Sequence, residues 1–311
     1  MRPNSDLLYP LSSGQLLPNS SANVLHPQGI AELLQKYPNR WFVDTLVSIA
    51  TSGVQVGYEG PLSGQTHRSN HASSFAHPDV IADLIQSEIS KGWVKEIEYL
   101  LANYFCSSIG LVLKISDGKQ SGWRTIFDLS SPEGFSVNDG IPKEYGTIIY
   151  ETLDNAICLV AQAGKGAVMM KRDLKSAFRH VPISPCDYWL LIFEWQGKYY
   201  VDMFLPFGLC TAPRIFNLFA EALHWVFETL NEWNVTHYLD DFSLSSHRGQ
   251  ILHLSPRNLI VSWQRLVSPR LLRRIQMVVL SFISVLSSIH LQWKSASLTT
   301  KSTVQWTLLI H

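Results

Sequence analysis

Apolar positions along the chain change period several times, and each change marks an element. Ile30–Tyr37 and Phe42–Ala50 carry apolar residues at helical spacing, split by Pro38-Asn39, which predicts two short amphipathic helices. Val54–Tyr58 alternates like a short strand and stops at Gly60-Pro61; residues 62–76 are rich in Ser, His and Asn and read as a loop. Val80, Ile81, Leu84, Ile85 and Ile89 form one face of a helix, with Pro78 and Asp79 in its first turn and Lys91-Gly92 at its end. Ile109–Ile115 and Trp123–Leu129 are strand-like runs around a Gly/Ser/Asp-rich turn, so a hairpin is expected. Val168–Asp173 predicts a further strand. Tyr188–Phe193 and Tyr199–Phe204 bracket Gln196-Gly197, a second hairpin signal. Thr211 is placed to cap a helix with Pro213 in its first turn. That helix should run to about Trp233 and bury Phe216, Phe219, Leu223, Val226, Phe227 and Leu230. Thr236–Leu244 reads as strand–turn–strand around one acidic pair. No internal repeat is present.

Composition adds two constraints. With 46% hydrophobic residues in 311, the chain has enough apolar side chains for a sizeable core. Four scattered cysteines, Cys106, Cys158, Cys186 and Cys210, lack metal or redox spacing and read as reduced thiols. Residues 1–30 read as a flexible lead-in; Met1–Asn23 is polar and Pro/Ser-rich with no signal-peptide core, and the expected location is intracellular, in cytoplasm or nucleus. The zero net charge conceals an asymmetry. Residues 242–311 contain eight Lys and Arg and no acid, and the preceding chain carries the compensating negative charge. One reading is a basic arm for nucleic acid. The other is that residues beyond about 245 are not the polypeptide the fold was built for.

Two sites hold candidate chemistry. Asp173-Leu174-Lys175-Ser176-Ala177-Phe178 ends a strand, and Tyr238-Leu239-Asp240-Asp241-Phe242 occupies a hairpin tip. Carboxylates beside buried strands are costly unless paired or metal-bound. A hairpin tip projects its acids beyond the sheet, where a neighbouring strand end presents a third. Three hard oxygen ligands suit Mg²⁺, and two such ions about 4 Å apart activate a hydroxyl and stabilise a leaving pyrophosphate. Taken singly, each acid reads as a solvated turn or strand-end residue; the joint pattern points elsewhere.

The landmarks occur in a fixed order. They are Gly122-Trp123-Arg124 with Phe127-Asp128-Leu129-Ser130; Ser136-Val137-Asn138-Asp139-Gly140-Ile141; Asp173 to Phe178 followed by Arg179-His180-Val181-Pro182-Ile183; Leu205-Pro206-Phe207-Gly208-Leu209 with Ala212-Pro213 and Phe216-Asn217; and Tyr238 to Phe242. From about Ile109 to Ser245 the chain resembles the catalytic core of reverse transcriptases, most of all those of DIRS-like, tyrosine-recombinase retrotransposons. The resemblance implies an α+β fold, the fingers and palm of a right-hand polymerase, with an antiparallel palm sheet covered by helices on one face. It implies an N-terminal extension over 1–79 and fingers and palm over 80–250. The activity implied is RNA-directed DNA polymerisation, a nucleotidyl transfer to a primer 3′ end. Two Mg²⁺ ions are the implied cofactor, with Mn²⁺ possible, and the partners are an RNA or DNA template with primer and deoxynucleoside triphosphates.

The resemblance also assigns roles. Asp173, Asp240 and Asp241 match the catalytic carboxylates, with the Leu174 carbonyl as a backbone metal ligand. Lys114 and Arg124 lie where cations grip the incoming triphosphate. Phe178 matches the aromatic residue beneath the deoxyribose that excludes a 2′-hydroxyl. Phe207 stands where many retroviral relatives carry glutamine, and Gly208 lets the backbone approach the templating pair. Tyr238 and Leu239 match the primer-contacting tip.

The pattern departs from the family in two places. Val94–Phe105 lacks the usual Gly/Pro-rich crossing. After Ser246 the primer-grip strands and helical thumb cannot be aligned, so the thumb is expected to be absent or degenerate and 251–311 to be an atypical basic and apolar tail. Ile275–Leu291 is apolar enough to suggest a short membrane span, but its serines, Gln276 and His290 argue against one, and no membrane partner is expected. A frameshift, retained intron or decayed element accounts for the acid-free tail, which should be irregular or form one helix over about 269–288. The alternatives are a catalytically inactive remnant that at most binds nucleic acid, an RNA-dependent RNA polymerase, and a membrane-anchored protein with a degenerate palm.

Overall fold

The computed structural model describes residues 25–62, 65–100, 102–116, 118–164, 168–174, 176–231, 234–246 and 275–279. Along the chain the elements are α1 (Pro27–Leu33), α2 (Arg40–Ser52), β1 (Gln65–His67), α3 (Ala72–Ala76), α4 (Pro78–Ser90), β2 (Val94–Ile97), β3 (Tyr104–Cys106), β4 (Ser108–Ser116), β5 (Lys119–Asp128), α5 (Leu153–Ala163), β6 (Val168–Asp173), β7 (Ile192–Trp195), β8 (Lys198–Asp202), α6 (Ala212–Asn231), β9 (Asn234–Tyr238), β10 (Asp241–Ser246) and β11 (Ile275–Val279). The fold is α+β. The described residues divide into two compact units, one holding 25–149 and 176–222, the other 150–174, 223–246 and 275–279.

In the first unit a five-stranded mixed sheet runs in the order β1-β3-β7-β8-β2, and β4-β5 forms a separate hairpin. Asn39 caps α2 by accepting from the Phe42 amide at 3.2 Å, worth about 1 kcal/mol. The helix buries Val43, Leu46 and Ala50 completely or nearly so. Pro78 opens α4, Asp79 sits in its first turn, and Ile81 and Ile85 face inward. A buried ion pair joins the 3₁₀ turn Ala177–His180 to the end of β8. Arg179 Nη1 donates to both oxygens of Asp202 at 2.5 and 2.6 Å, and its Nη2 meets Glu88 at 3.2 Å. Burial works against the Arg179 charge, but Asp202 and then Glu88 outweigh it and push the pKa up.

Several expectations differ from the structure here. The polar segment 62–76 contains β1 and α3, because its side chains bond a neighbouring strand. Asn70 and Ser73 accept from the Ile109 and Leu111 amides at 2.9 and 3.0 Å, and Ser74 donates to the Ile109 carbonyl at 2.7 Å. Val54–Tyr58 makes a single parallel bridge, Val54 to Ile183, rather than a strand. Pro185–Leu190 is a 3₁₀ helix, Pro185 favouring a helical first turn, so the extended run begins only at Ile192. The Thr211 hydroxyl donates to the Val56 carbonyl at 2.9 Å instead of capping α6.

The second unit centres on a sheet in the order β11-β6-β10-β9, antiparallel throughout. α5, unforeseen in the sequence, is capped by Thr152 and touches β9 and β10; Phe227 of α6 meets Phe242 edge-on at 5.7 Å. Ile275–Val279 is a strand on the free side of β6, not part of a helix across 269–288. A β-branched run suits an edge that still offers backbone partners. The rest of that helix, and the thumb question, lie outside the described residues. No helix among the described residues is long and apolar enough to cross a membrane.

Candidate functional site

The acidic pair sits where β9 turns into β10. Tyr238 pairs with Asp241 across the turn, leaving Leu239 and Asp240 as a two-residue loop. Leu239 has φ 54°, the left-handed sign that matches strand twist in tight hairpins, but strained for a branched side chain. On its other side β10 pairs with β6, and the register sets Asp173 directly opposite Asp241. The Leu174 amide donates to the Asp240 carbonyl at 3.1 Å, tying the end of β6 to the loop. Positions 173, 174, 240 and 241 are thus gathered at one end of the sheet. Asp240 and Asp241 are both partly exposed. Tyr238 is 55% exposed and stacks on Tyr150 at 4.6 Å. Carboxylate oxygens are hard donors, so this set fits Mg²⁺ by its chemistry.

The remaining candidate residues belong to the other unit. Val112 pairs with Arg124 and Lys114 with Gly122. Lys114 and Arg124 are therefore diagonal neighbours on one face of the β4-β5 hairpin, and both are exposed. Phe178 packs against Phe207 at 5.0 Å and Phe216 at 5.5 Å; Phe207 remains 50% exposed. Gly208 has φ 137°, and a Cβ there would lie 2.2 Å from the Phe127 carbonyl oxygen. Only glycine fits that approach.

Two groups gained no role from the sequence. Asn138 donates from Nδ2 to the Gly208 carbonyl at 2.8 Å and accepts the Cys210 amide at 2.9 Å. Its signal was present, since Asn138 lies within the second ordered motif. The second group is Glu151, His224 and His237, whose ligand atoms all lie within 4.8 Å of one another. Burial, then the neighbouring His224, pushes the His237 imidazole down to about 4. Their positions along the chain carry no recognisable spacing.

Residues 119–266 match the family described as reverse transcriptase (RNA-dependent DNA polymerase), and they span both acidic sites. Over that stretch, just under half of the chain, the sequence is similar to reverse transcriptases. Its match ends at 266, past Ser246 where the ordered motifs run out. The Pro-Pol polyprotein of Simian foamy virus type 1 is 32% identical over 146 residues, 47% of this chain and 11% of the polyprotein. The Pro-Pol polyprotein of Feline foamy virus is 42% identical over 52 residues, 17% of this chain and 4% of the polyprotein. The chain thus spans a small part of these curated relatives. A foamy viral protease-reverse transcriptase solved in complex with double-stranded DNA is similar at a TM-score of 0.50 and 20% identity. That likeness covers 85% of this chain and 46% of the solved one, and it is a likeness of fold.

Proposed function

We propose that this chain is the RNA-directed DNA polymerase part of a retroelement of the retrotransposon type, adding deoxynucleotides to a primer 3′ end on an RNA or DNA template. The observation that carries the reading is the register of Asp173 opposite Asp241, beside the Asp240 loop. Asp173, Asp240 and Asp241, with the Leu174 carbonyl, would hold two Mg²⁺, Mn²⁺ being the alternative. Bound metal supplies activation of the attacking hydroxyl and stabilisation of the leaving oxygen. Lys114 and Arg124 share a face and would neutralise the triphosphate, Arg124 by a planar fork and Lys114 as a point charge. Phe178, held by Phe207 and Phe216, would present a ring to the sugar, and a ring fixed by packing would select against an added hydroxyl. Phe207 and Gly208 border the same place. Tyr238 and Leu239 would meet the primer end, and the stacked Tyr150–Tyr238 pair offers it an aromatic surface. In right-hand terms, fingers would take 80–163 and 181–206, and palm 164–180 and 207–250.

The test is primer extension by the purified chain with Mg²⁺, template and deoxynucleotides. Asp240→Asn should lower extension by about 10²–10³-fold, the scale of losing a charge-stabilising group in a site, with the melting curve retained. Undiminished extension by a folded Asp240→Asn would remove Asp240 from the mechanism. A second reading, an inactive remnant, is favoured by the absence of any acid after Asp241. It predicts retention of primer–template on a gel with no extension.

A further inference from the structure

We infer that Glu151, His224 and His237 form a second metal site, built for one transition ion of the zinc class and separate from the carboxylates of the β9-β10 loop. Three chain segments meet there: the residue before the α5 cap, the C-terminal half of α6, and β9. Nδ1 of His224 lies 2.9 Å from Nδ1 of His237, and 3.6 Å from Oε1 of Glu151. The other Glu151 oxygen, Oε2, accepts the His237 backbone amide at 3.0 Å, which fixes the carboxylate and turns Oε1 toward the two rings.

Zinc bonds of about 2.0–2.1 Å in a tetrahedron put donors about 3.4 Å apart. The His224–Glu151 distance already satisfies this. The two imidazoles would separate by a few tenths of an ångström as an ion replaces the proton between them. Two imidazoles and one carboxylate are the donor set of known zinc sites that keep an open position for water. The Glu151 side chain is 30% exposed and gives that water an entry.

Outer contacts strengthen the assignment. Metal-ligating histidines generally donate their second N–H to a carboxylate, which fixes the tautomer and raises ligand basicity. Nε2 of His224 lies 3.2 Å from Oε1 of Glu228, one helical turn on. His237 is held flat against Phe242 at 5.3 Å, with Phe227 edge-on to the same Phe242 ring. Two ring nitrogens, a held carboxylate, an outer carboxylate and an apolar wall form a prepared site, which a single shared proton does not require. Occupation would tie β9, and hence the loop it leads into, to α6 and the start of α5.

The full chain, stripped with a chelator, is titrated with Zn²⁺ against a chromophoric competitor in excess Mg²⁺, so that hard-oxygen sites stay filled. One tight Zn²⁺ per chain is expected. Co²⁺ in its place should give visible absorption typical of a four-coordinate ion. His224→Gln should abolish the tight site and the absorption. Glu228→Gln, at a half-exposed position that leaves the fold intact, should weaken Zn²⁺ by about 10–100-fold. Absence of tight uptake by the parent chain overturns the proposal and leaves a proton-sharing histidine pair. So does unchanged affinity in folded Glu228→Gln together with unchanged affinity in His224→Gln.

Discussion

Asn138 clasps the turn at Gly208, giving one hydrogen bond to its carbonyl and taking one from the Cys210 amide two residues on. Its own backbone amide donates to Leu129 at 2.9 Å, so the clasp also fixes the segment after β5. Asn138→Ala leaves a partly buried amide and a carbonyl without this partner and should cost about 1–3 kcal/mol, read as a lower urea midpoint with unchanged slope. Asn138→Asp keeps the acceptor but sets a carboxylate against the Gly208 carbonyl, and should be no better than alanine.

Gly208→Ala should also destabilise the fold. Its φ of 137° disfavours any side chain, and the Phe127 carbonyl occupies the Cβ position. Relief requires moving backbone, so a loss above ~1 kcal/mol is expected, seen as a lower melting midpoint or insoluble expression. Gly118, with open space at its Cβ, provides the control: Gly118→Asn, suited to positive φ, should change stability little.

Asp202→Asn should lower stability by about 3–5 kcal/mol, because it strips charge from the carboxylate side of a buried pair while Arg179 stays ionised. Glu88 keeps part of the compensation, so Asp202→Asn with Glu88→Gln should lose more than either alone. A double-mutant cycle in urea measures the coupling.

The Asp187 carboxyl accepts the Val56 amide at 2.7 Å, yet burial pushes its pKa above the usual carboxylate value. A raised folded pKa means that the native state keeps its proton to higher pH than the unfolded chain. The contribution to stability is therefore largest in acid and falls as pH rises through the folded pKa. Asp187→Asn keeps an acceptor for Val56 and carries no charge. It should match or exceed the parent at pH 7, with the advantage shrinking toward pH 4. Asp187→Ala should cost about 1–3 kcal/mol at either pH by orphaning the Val56 amide.

Phe178→Ala should raise ribonucleotide incorporation relative to deoxynucleotide by roughly tenfold or more, since one steric exclusion is worth on the order of 1–3 kcal/mol. Phe207 and Phe216 lose one ring contact each, so a small drop in melting temperature should accompany it. An unchanged sugar ratio would make Phe178 a packing residue only.

The legible parts of the sequence were those whose partners are local. Ile81 and Ile85 face the core as their spacing predicts, and Tyr238–Phe242 turns as its acidic pair suggests, because period and turn chemistry act within a few residues. The Asp173–Asp241 pairing was inferable only through the ordered motifs; no local rule links positions so far apart. Thr211 has the chemistry of a cap but bonds Val56, a partner 155 residues away. His224 and His237 meet because helix packs on sheet, and nothing in the twelve residues between them encodes that contact. Residues 65–76 were obscure for a further reason. Their regularity is imposed from outside, by backbone groups of β4 that their short polar side chains satisfy.

That arrangement bears on self-association. One side of β4 is laddered to β5, while its opposite side at Ile109 and Leu111 is met by Asn70, His71, Ser73 and Ser74. An open strand flank is a template on which another polypeptide can build a sheet. Here the template is already spent on amides and hydroxyls too short to extend it. The hairpin can carry Leu113 and Ile115 exposed and still offer no docking line to a stray strand along that stretch.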